Sequence, residues 1–261
     1  MVIEFTKYHG AGNDFVIIDD REEKFPENDI KLIELMCHRR HGIGADGLML
    51  LRNHSLLDFE MIYYNADGKT SSMCGNGGRC IAAFAHSIGM IDDVGLFHAI
   101  DGTHEARVIS IDTVALQMND VQSIEKLADN AFLLDTGSPH YVSFVEDVDA
   151  IALLEEARKI RYSERFKKDG VNVNFVQLNS DGLDIRTYER GVEDETLACG
   201  TGVTAAAIAA NYSGQTELAD LPVKARGGLL NVKFQRIDDH YKSIWKTGPV
   251  AHVFNGRFHL T

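Results

Sequence analysis

Two stretches of the chain share one pattern, Cys74-Gly-Asn-Gly-Gly-Arg-Cys-Ile-Ala-Ala-Phe-Ala-His-Ser-Ile-Gly89 and Cys199-Gly-Thr-Gly-Val-Thr-Ala-Ala-Ala-Ile-Ala-Ala-Asn-Tyr-Ser-Gly214. Aligned on their cysteines, they are identical at 6 of 16 positions. Each reads as a cysteine, a glycine-rich turn, a helix of small apolar residues and a glycine that ends the helix. Because few charges lie along either helix, we expect both helices to be buried on all sides.

The similarity extends beyond the two helices. In each copy a glycine turn precedes the cysteine by 62 residues, at Gly12 and at Gly137. A strand ends nine residues before each cysteine, at Asn65 in the first copy and at Arg190 in the second. One repeat therefore spans about 125 residues, which is too long for a solenoid unit and predicts a duplicated domain.

The fold class follows from the short strand-like runs around each helix, which are typical of an α+β protein. We predict two pseudo-symmetric lobes, each a set of mainly antiparallel strands wrapped around its central apolar helix. The polar stretch 119–130 marks the boundary between them. Residues 1–118 then form an N-terminal lobe that carries Cys74, and the lobe that follows from residue 119 carries Cys199.

Two further helices are predicted outside the repeated motifs. Asp29 can cap a helix that ends near Arg39, and residues 149–161 have the spacing of an amphipathic helix. We assign Cys37 and Cys80 to the core, since cysteine is among the most buried residue types.

Composition narrows the class of protein. The 261 residues carry a net charge of −13, from 26 basic and 39 acidic residues. Such a balance argues against nucleic acid or a membrane surface as a partner. The start of the chain lacks the layout of a signal peptide, and four cysteines in 261 residues do not form a disulfide scaffold. We therefore expect a cytoplasmic protein with reduced thiols.

A cysteine at a helix N-terminus has two chemical consequences. The unpaired N–H groups and the helix dipole lower the pKa of the thiol, and they also bind a carboxylate. If both helix starts, at Cys74 and Cys199, point into one cleft between the lobes, a bound carboxylate is flanked by two thiols. One thiolate could remove a proton from the adjacent carbon while the other thiol returns one to the opposite face. This predicts a two-base racemase or epimerase that requires neither metal nor another cofactor.

The cysteines could instead be core residues, partners in a disulfide or ligands of a zinc ion. A lone cysteine beside a helix is usually inert packing, but two at equivalent repeat positions make that interpretation weak. A disulfide between Cys74 and Cys199 is disfavoured as the resting state by the expected compartment. No compact Cys/His quartet indicates zinc, and the Gly-x-Gly loops at Gly10 and Gly42 lack the third glycine of a dinucleotide site.

Polar residues cluster where strands end in both copies. Arg190 could bind a second carboxylate with two hydrogen bonds, and Glu189 an ammonium group. The remaining candidates are Asn13, Asn65, His140 and Asn172. The recurrence of such groups at equivalent positions favours a zwitterionic substrate.

These residues together resemble the diaminopimelate epimerase family. The motifs that carry the resemblance are Gly10-Ala-Gly-Asn13-Asp-Phe15, Tyr64-Asn65-Ala-Asp-Gly, Met73-Cys74-Gly-Asn-Gly-Gly-Arg-Cys80, Gly137-Ser-Pro-His140, Tyr188-Glu-Arg-Gly191 and Ala198-Cys-Gly-Thr-Gly202. The resemblance continues to Gly248-Pro249 and Val253-Phe-Asn-Gly256, nearly the end of the chain. It implies reversible conversion of LL- to meso-diaminopimelate, in lysine and peptidoglycan precursor synthesis, without a cofactor.

The resemblance also implies a role for each site residue. Cys74 and Cys199 are the acid and base, with His140 and Glu189 assisting them. The reacting carboxylate is held by the backbone at Gly75, Asn76, Gly200 and Thr201. Asn13, Asn65, Asn172 and Arg190 hold the distal end of the substrate. The last strand, 251–261, returns to the N-terminal lobe, so that 119–250 form the C-terminal lobe. A homodimer is left open.

Two features depart from the family pattern. Many members have glutamine directly after the aspartate of the Gly-Ile-Gly-x-Asp loop, where this chain has Gly47. A contact to the distal end of the substrate is therefore missing or replaced. The stretch that begins at Glu193 is also one residue longer than in many members.

Two alternatives to the leading function remain. The same scaffold could racemise another amino acid, such as proline or histidine, although a site for a distal zwitterion argues against proline. The chain could also be an amino-acid-binding or thiol-redox protein without turnover. Replacing either cysteine with serine separates these classes, because an epimerase loses racemisation whereas a simple binder keeps its affinity.

Overall fold

The computed structural model describes residues 1–70, 73–127 and 130–260. Ser71 and Ser72, which precede the first cysteine motif, lie outside the described residues. So do residues 128–129 of the predicted boundary stretch and Thr261 of the predicted last strand.

The chain forms two compact units. Unit 1 comprises Met1–Leu116 and Gly248–Thr261, and unit 2 comprises Gln117–Thr247. The lobe limits expected from the sequence, near residues 118 and 251, stay predictions.

Unit 1 contains eight strands and two helices over its described residues. In chain order these are β1 (Val2–Gly10), β2 (Asn13–Asp19), α1 (Ile30–Cys37), β3 (Gly47–Arg52), β4 (Phe59–Asn65), α2 (Gly75–Ser87), β5 (Val94–Ala99), β6 (Gly102–Ser110), β7 (Thr113–Met118) and, from the end of the chain, β17 (Ala251–His259). The last strand pairs with the first, antiparallel, so the chain end returns to this unit.

Unit 2 contains nine strands and two helices over its described residues. These are β8 (Ile124–Lys126), β9 (Ala131–Asp135), β10 (Pro139–Phe144), α3 (Leu153–Arg161), β11 (Asn172–Leu178), β12 (Leu183–Glu189), β13 (Asp194–Thr196), α4 (Gly200–Tyr212), β14 (Asp220–Ala225), β15 (Gly228–Ile237) and β16 (His240–Pro249), whose last two residues belong to unit 1.

Strand pairing repeats from one unit to the other. In unit 1 the chain passes through β1, β2, β3, β4, β5, β6 and β7 with antiparallel, parallel, antiparallel, parallel, antiparallel and antiparallel neighbours. Unit 2 has the same order through β9, β10, β11, β12, β14, β15 and β16. Each parallel pair is joined by a helix, because parallel strands need a crossover connection. The predicted α+β class with a duplicated arrangement of mainly antiparallel strands is confirmed.

The two repeated helices occupy the core of their units. Residues 76–85 of α2 and 202–211 of α4 are buried, as their near-absence of charge predicts. Gly89 and Gly214 end the helices in the left-handed conformation, with φ of 70° and 75°. This conformation costs a glycine little and explains the shared glycine stop.

The two other helices are shorter than expected from the sequence. The first starts at Asp29, whose carboxylate accepts a hydrogen bond from the Leu32 N–H at 3.1 Å, but it ends at Cys37. The second begins at Leu153 rather than at residue 149. Over the described residues, none of the helices has the length and apolar character that a bilayer span demands.

Candidate active site

Each motif cysteine is the residue that precedes its helix. Cys74 has φ −86° and ψ 120°, and Cys199 has φ −90° and ψ 108°, so both are extended. The first N–H groups of a helix have no acceptor within the helix, so both starts can bind an anion such as a carboxylate. None of the four cysteines, all of which lie within the described residues, forms a disulfide.

Cys199 lies in an environment that keeps its thiol protonated. Its side chain is only 7% exposed. Burial, together with the carboxylate of Glu189, raises the pKa of Cys199 to about 12, although Thr201 and the N–H of Gly202 act in the opposite direction. The expectation of a lowered pKa at the helix start is therefore wrong for Cys199, because desolvation outweighs the helix terminus.

Three side chains form a hydrogen-bonded chain that ends at the Cys199 sulfur. The amide N–H of Asn174 lies 3.1 Å from His140 Nδ1, and His140 Nε2 lies 2.9 Å from Thr201 Oγ1. Thr201 Oγ1 is 3.5 Å from Cys199 Sγ. Because the Asn174 amide donates, Nδ1 must accept, so the imidazole proton sits on Nε2 and is donated to Thr201. The hydroxyl hydrogen of Thr201 is then available to the sulfur.

The orientation of Asn174 is itself determined by its surroundings. Its amide nitrogen also donates to the backbone oxygen of Tyr141 at 3.0 Å, and its oxygen accepts from the Thr187 hydroxyl at 2.9 Å. Asn174 is completely buried, as is His140. Asn174 therefore determines which nitrogen of His140 carries the proton.

His140 should make the folded state sensitive to acid. Burial lowers the pKa of His140 from 6.5 to about 3. As the pH falls, the unfolded chain therefore binds a proton at His140 before the folded chain does. The contribution of His140 to folding stability is complete above about pH 6.5 and is lost as the pH falls towards 3. Between pH 7 and pH 5 we expect the free energy of unfolding to fall by about 2 kcal/mol.

Urea unfolding at both pH values, with wild type and His140→Gln, measures this effect. The decline should disappear in the variant, and an equal decline in both proteins would show that another group is responsible. Burial raises the pKa of Glu189, so the contribution of Glu189 to the free energy of unfolding increases as the pH falls, opposite to that of His140. Because Glu189 is present in both proteins, its contribution does not affect the comparison.

Strand β12 ends at Glu189, beside Cys199, and Arg190 follows it. A Glu189 oxygen accepts from the Thr196 hydroxyl at 3.0 Å, and its carboxylate lies beside the Cys199 thiol. The backbone N–H of Arg190 donates to the Asn172 side chain at 2.8 Å, and its guanidinium donates to the backbone oxygen of Asp169 at 2.9 Å. The exposed guanidinium thus has a defined position and keeps further N–H groups for a ligand.

Glu193 holds this turn in place. Its carboxylate accepts from the Tyr162 hydroxyl at 2.9 Å, the Tyr188 hydroxyl at 3.0 Å and Arg161 Nη2 at 3.0 Å. It also accepts from the N–H of Gly191 at 3.2 Å. Glu193 therefore ties the Tyr-Glu-Arg-Gly turn to helix α3.

In unit 1 the first turn of α2 is tied to the β1–β2 turn. The Asn76 amide donates to Asn13 Oδ1 at 2.7 Å, and the Asn13 amide donates to Asp46 Oδ2 at 3.0 Å. Arg39 bridges Asp46 and Asp14 at 2.6 Å and 2.7 Å. Although partial burial raises the pKa of Asp14, hydrogen bonds from Arg39 and a neighbouring lysine lower it to about 2. Asn13 is thus held by an ionised cluster.

A buried arginine lies inside the same helix. Arg79 is 0% exposed, and its guanidinium donates to Asn76 Oδ1 at 2.9 Å. Among the described residues its Nε has no hydrogen-bond partner. Its charge interacts with Cys74, five residues earlier, whereas the equivalent position after Cys199 is the neutral Thr204. The two cysteines therefore differ in their electrostatic surroundings.

The predicted site residues form two groups. Unit 1 holds Asn13, Asn65, Cys74, Gly75 and Asn76, and unit 2 holds His140, Asn172, Glu189, Arg190, Cys199, Gly200 and Thr201. Within each unit the predicted residues lie around the start of the repeated helix, except that Asn65 is an exposed residue at the end of β4. Their roles stay predictions.

Sequence reasoning missed several residues that position these groups. Asn174 could have been found from the sequence, because it lies two residues after Asn172 and therefore on the same face of the strand. Arg79 could have been found as a charged residue inside an otherwise apolar helix. Asp46 was assigned only to a glycine loop. Among the described residues no cluster of three or more His, Cys, Asp or Glu side chains is arranged to hold a metal ion.

One family of known proteins matches nearly the whole chain in sequence. The family model described as diaminopimelate epimerase matches residues 5–123 and 132–253. A diaminopimelate epimerase of Flavobacterium psychrophilum is 47% identical over 253 residues, covering 97% of this chain and 98% of that protein. One from Chlorobaculum tepidum is 43% identical over 260 residues, covering 96% of this chain and 99% of that protein.

Solved structures of low sequence identity share the fold. A phenazine biosynthesis protein of the PhzF family from Bacillus anthracis has a TM-score of 0.78 at 12% identity, with full coverage of both chains. A probable proline racemase from Agrobacterium radiobacter has a TM-score of 0.66 at 14% identity, covering 99% of this chain and 93% of the other. At these identities the likeness concerns architecture alone. The full-length matches above 40% identity and the paired cysteine-capped helices lead to one conclusion: the chain belongs to the diaminopimelate epimerase family of isomerases.

Proposed function

We propose that the protein interconverts LL- and meso-diaminopimelate by removing and returning one α-proton, with Cys74 and Cys199 acting on opposite faces of the carbon. The observation that carries this proposal is the matched position of the two thiols. Each is the residue directly before the buried central helix of its repeat. A carboxylate bound to such N–H groups would stabilise the charge that develops when the neighbouring carbon loses its proton.

The two cysteines are chemically suited to different protonation states. Cys199 rests as a thiol, with its pKa raised to about 12 by burial and by Glu189. Cys74 lies beside the guanidinium charge of Arg79. We propose that in one reaction direction the Cys74 thiolate removes the α-proton and the Cys199 thiol returns one to the opposite face. Cys199 is then left as the thiolate, which is the base of the reverse reaction.

The remaining predicted residues bind the substrate in this proposal. Backbone N–H groups at Gly75, Asn76, Gly200 and Thr201 hold the reacting carboxylate. Glu189, whose pKa is raised by burial, accepts from the reacting ammonium group. The exposed guanidinium of Arg190 binds the distal carboxylate, with Asn13, Asn65 and Asn172 around the distal end.

Deuterium incorporation tests the reaction directly. Purified protein with LL-diaminopimelate in heavy water and a reductant should place deuterium at one α-carbon and yield the meso form, which ¹H NMR detects. Proline and histidine tested in the same way should exchange far more slowly. A folded, reduced protein without exchange on diaminopimelate would contradict the proposal.

The cellular setting follows from this substrate. We expect the enzyme to act in the cytoplasm, in the formation of lysine and peptidoglycan precursors, without a cofactor. Its partner is then a small molecule, and neither nucleic acid nor a membrane is required. A homodimer stays a prediction that sedimentation can test.

A further inference from the structure

The space above Gly47 is filled by the side chain of Tyr63. A Cβ atom built on Gly47 would lie 2.5 Å from Tyr63 Cε2 and 2.8 Å from its hydroxyl oxygen. It would also lie 2.5 Å from the backbone oxygen of Tyr64. Because Cβ atoms do not approach other atoms so closely, position 47 requires glycine, and the phenol of Tyr63 occupies the place that a side chain there would take.

Strand register places this phenol on the same face as a predicted substrate residue. Gly47 pairs with Asn65, and Met49 pairs with Tyr63, across β3 and β4. Directly opposed residues share a face of the sheet, and so do residues two apart on one strand. Tyr63 and Asn65 therefore project from one face of the sheet, and Gly47 lies next to them on the adjacent strand β3.

The start of helix α2 packs on this same face. A Cβ on Gly77 would lie 3.1 Å from Met49 Sδ and 3.5 Å from the ring of Phe15. Phe15 contacts Tyr63 edge to face, with ring centroids 6.1 Å apart. The ring of Phe15 therefore lies against both Tyr63 and the first turn of α2, which begins directly after Cys74.

We propose that Tyr63 is a further substrate-binding residue, whose hydroxyl donates a hydrogen bond to the distal carboxylate of the substrate. This inference rests on the proposed function. The half-buried ring is held by Phe15 and by the backbone over Gly47, so the hydroxyl is presented at little conformational cost. A phenol donates well to a carboxylate, and Asn65 on the same face offers a second polar group.

The test compares two neighbouring tyrosines. Tyr63→Phe keeps the ring and removes the hydroxyl, and we expect the KM for LL-diaminopimelate to rise about 10- to 100-fold, the range for a lost hydrogen bond to a charged group. The kcat should change by less than about 3-fold, because the distal carboxylate is the same in the ground state and the transition state. Tyr64→Phe is the matched control, since its hydroxyl lies on the opposite face, 3.4 Å from Glu27; its KM should equal that of wild type.

The outcomes separate this inference from the proposed function. A wild-type protein that exchanges no α-hydrogen of diaminopimelate overturns the function. An active wild type with the same KM as Tyr63→Phe overturns the role of Tyr63 alone. L-lysine, which lacks the distal carboxylate, provides a second measurement as a competitive inhibitor. Its inhibition constant should be the same for wild type and Tyr63→Phe, and a loss as large as that for diaminopimelate would show that the hydroxyl acts elsewhere.

Discussion

Replacing Cys74 or Cys199 with serine should lower the kcat of epimerisation about 10²- to 10⁴-fold, the contribution expected of a positioned general acid or base. A serine hydroxyl holds its proton too tightly to act as the base near neutral pH. The loss should be similar in both reaction directions, because each cysteine serves as base in one direction and as acid in the other. Deuterium incorporation and the formation of meso-diaminopimelate measure the effect.

A matched control separates catalysis from folding. Cys37 is 2% exposed and belongs to the core cluster of unit 1. Cys37→Ala should cost some stability but leave kcat within about 2-fold of wild type, as expected for a residue that only packs. Substrate affinity, measured by calorimetry, should persist in both serine variants. A serine variant with more than a tenth of wild-type kcat would refute the two-base mechanism.

Replacing Asn174 with aspartate should reverse the tautomer of His140 and lower kcat about 10²-fold. A carboxylate can only accept, so Nδ1 must then carry the proton and Nε2 must accept from Thr201. The Thr201 hydroxyl hydrogen then points to His140 instead of to the Cys199 sulfur. The change is isosteric, and the Thr187 hydroxyl can still donate to position 174. The hydrogen bond to the Tyr141 backbone oxygen is lost, so the variant should also be less stable.

Nitrogen chemical shifts of His140 report the tautomer separately from activity. The buried carboxylate should also raise the pKa of His140, because an adjacent negative charge favours the imidazolium. Asn211→Asp is the matched control, since Asn211 is a buried amide of the same unit whose oxygen accepts from Tyr241 at 2.9 Å. If the tautomer reverses while kcat stays close to that of the control, the hydrogen-bonded chain is structural and does not tune Cys199.

Much of the fold could be predicted because duplication makes the pattern visible twice. The helix starts at Cys74 and Cys199 and the stops at Gly89 and Gly214 are local features, set by glycine conformation and by a run of small apolar residues. Helix ends that lack such signals were predicted less accurately. The first helix ends at Cys37 because the following residue, His38, adopts an extended backbone, with ψ of 121°.

The candidate site was only partly predictable, since its supporting contacts join residues far apart in sequence. Asn13 is held by Asp46 and Asn76, which lie 33 and 63 positions away. His140 is oriented by Asn174 across a pair of parallel strands, 34 positions away. Periodicity within one segment carries no information on such contacts, because they depend on which strands become neighbours.

Local spacing that recurs along the chain is enough to predict the duplicated α+β plan, the two cysteines at helix starts and the family. The protonation chemistry depends instead on tertiary contacts. The helix terminus alone predicts a lowered pKa for Cys199, but burial and the approach of Glu189 raise it to about 12. Tertiary structure also decided what stands at Gly47, where the phenol of Tyr63 fills the space. Both outcomes depend on packing density and desolvation, which arise only when distant segments come together.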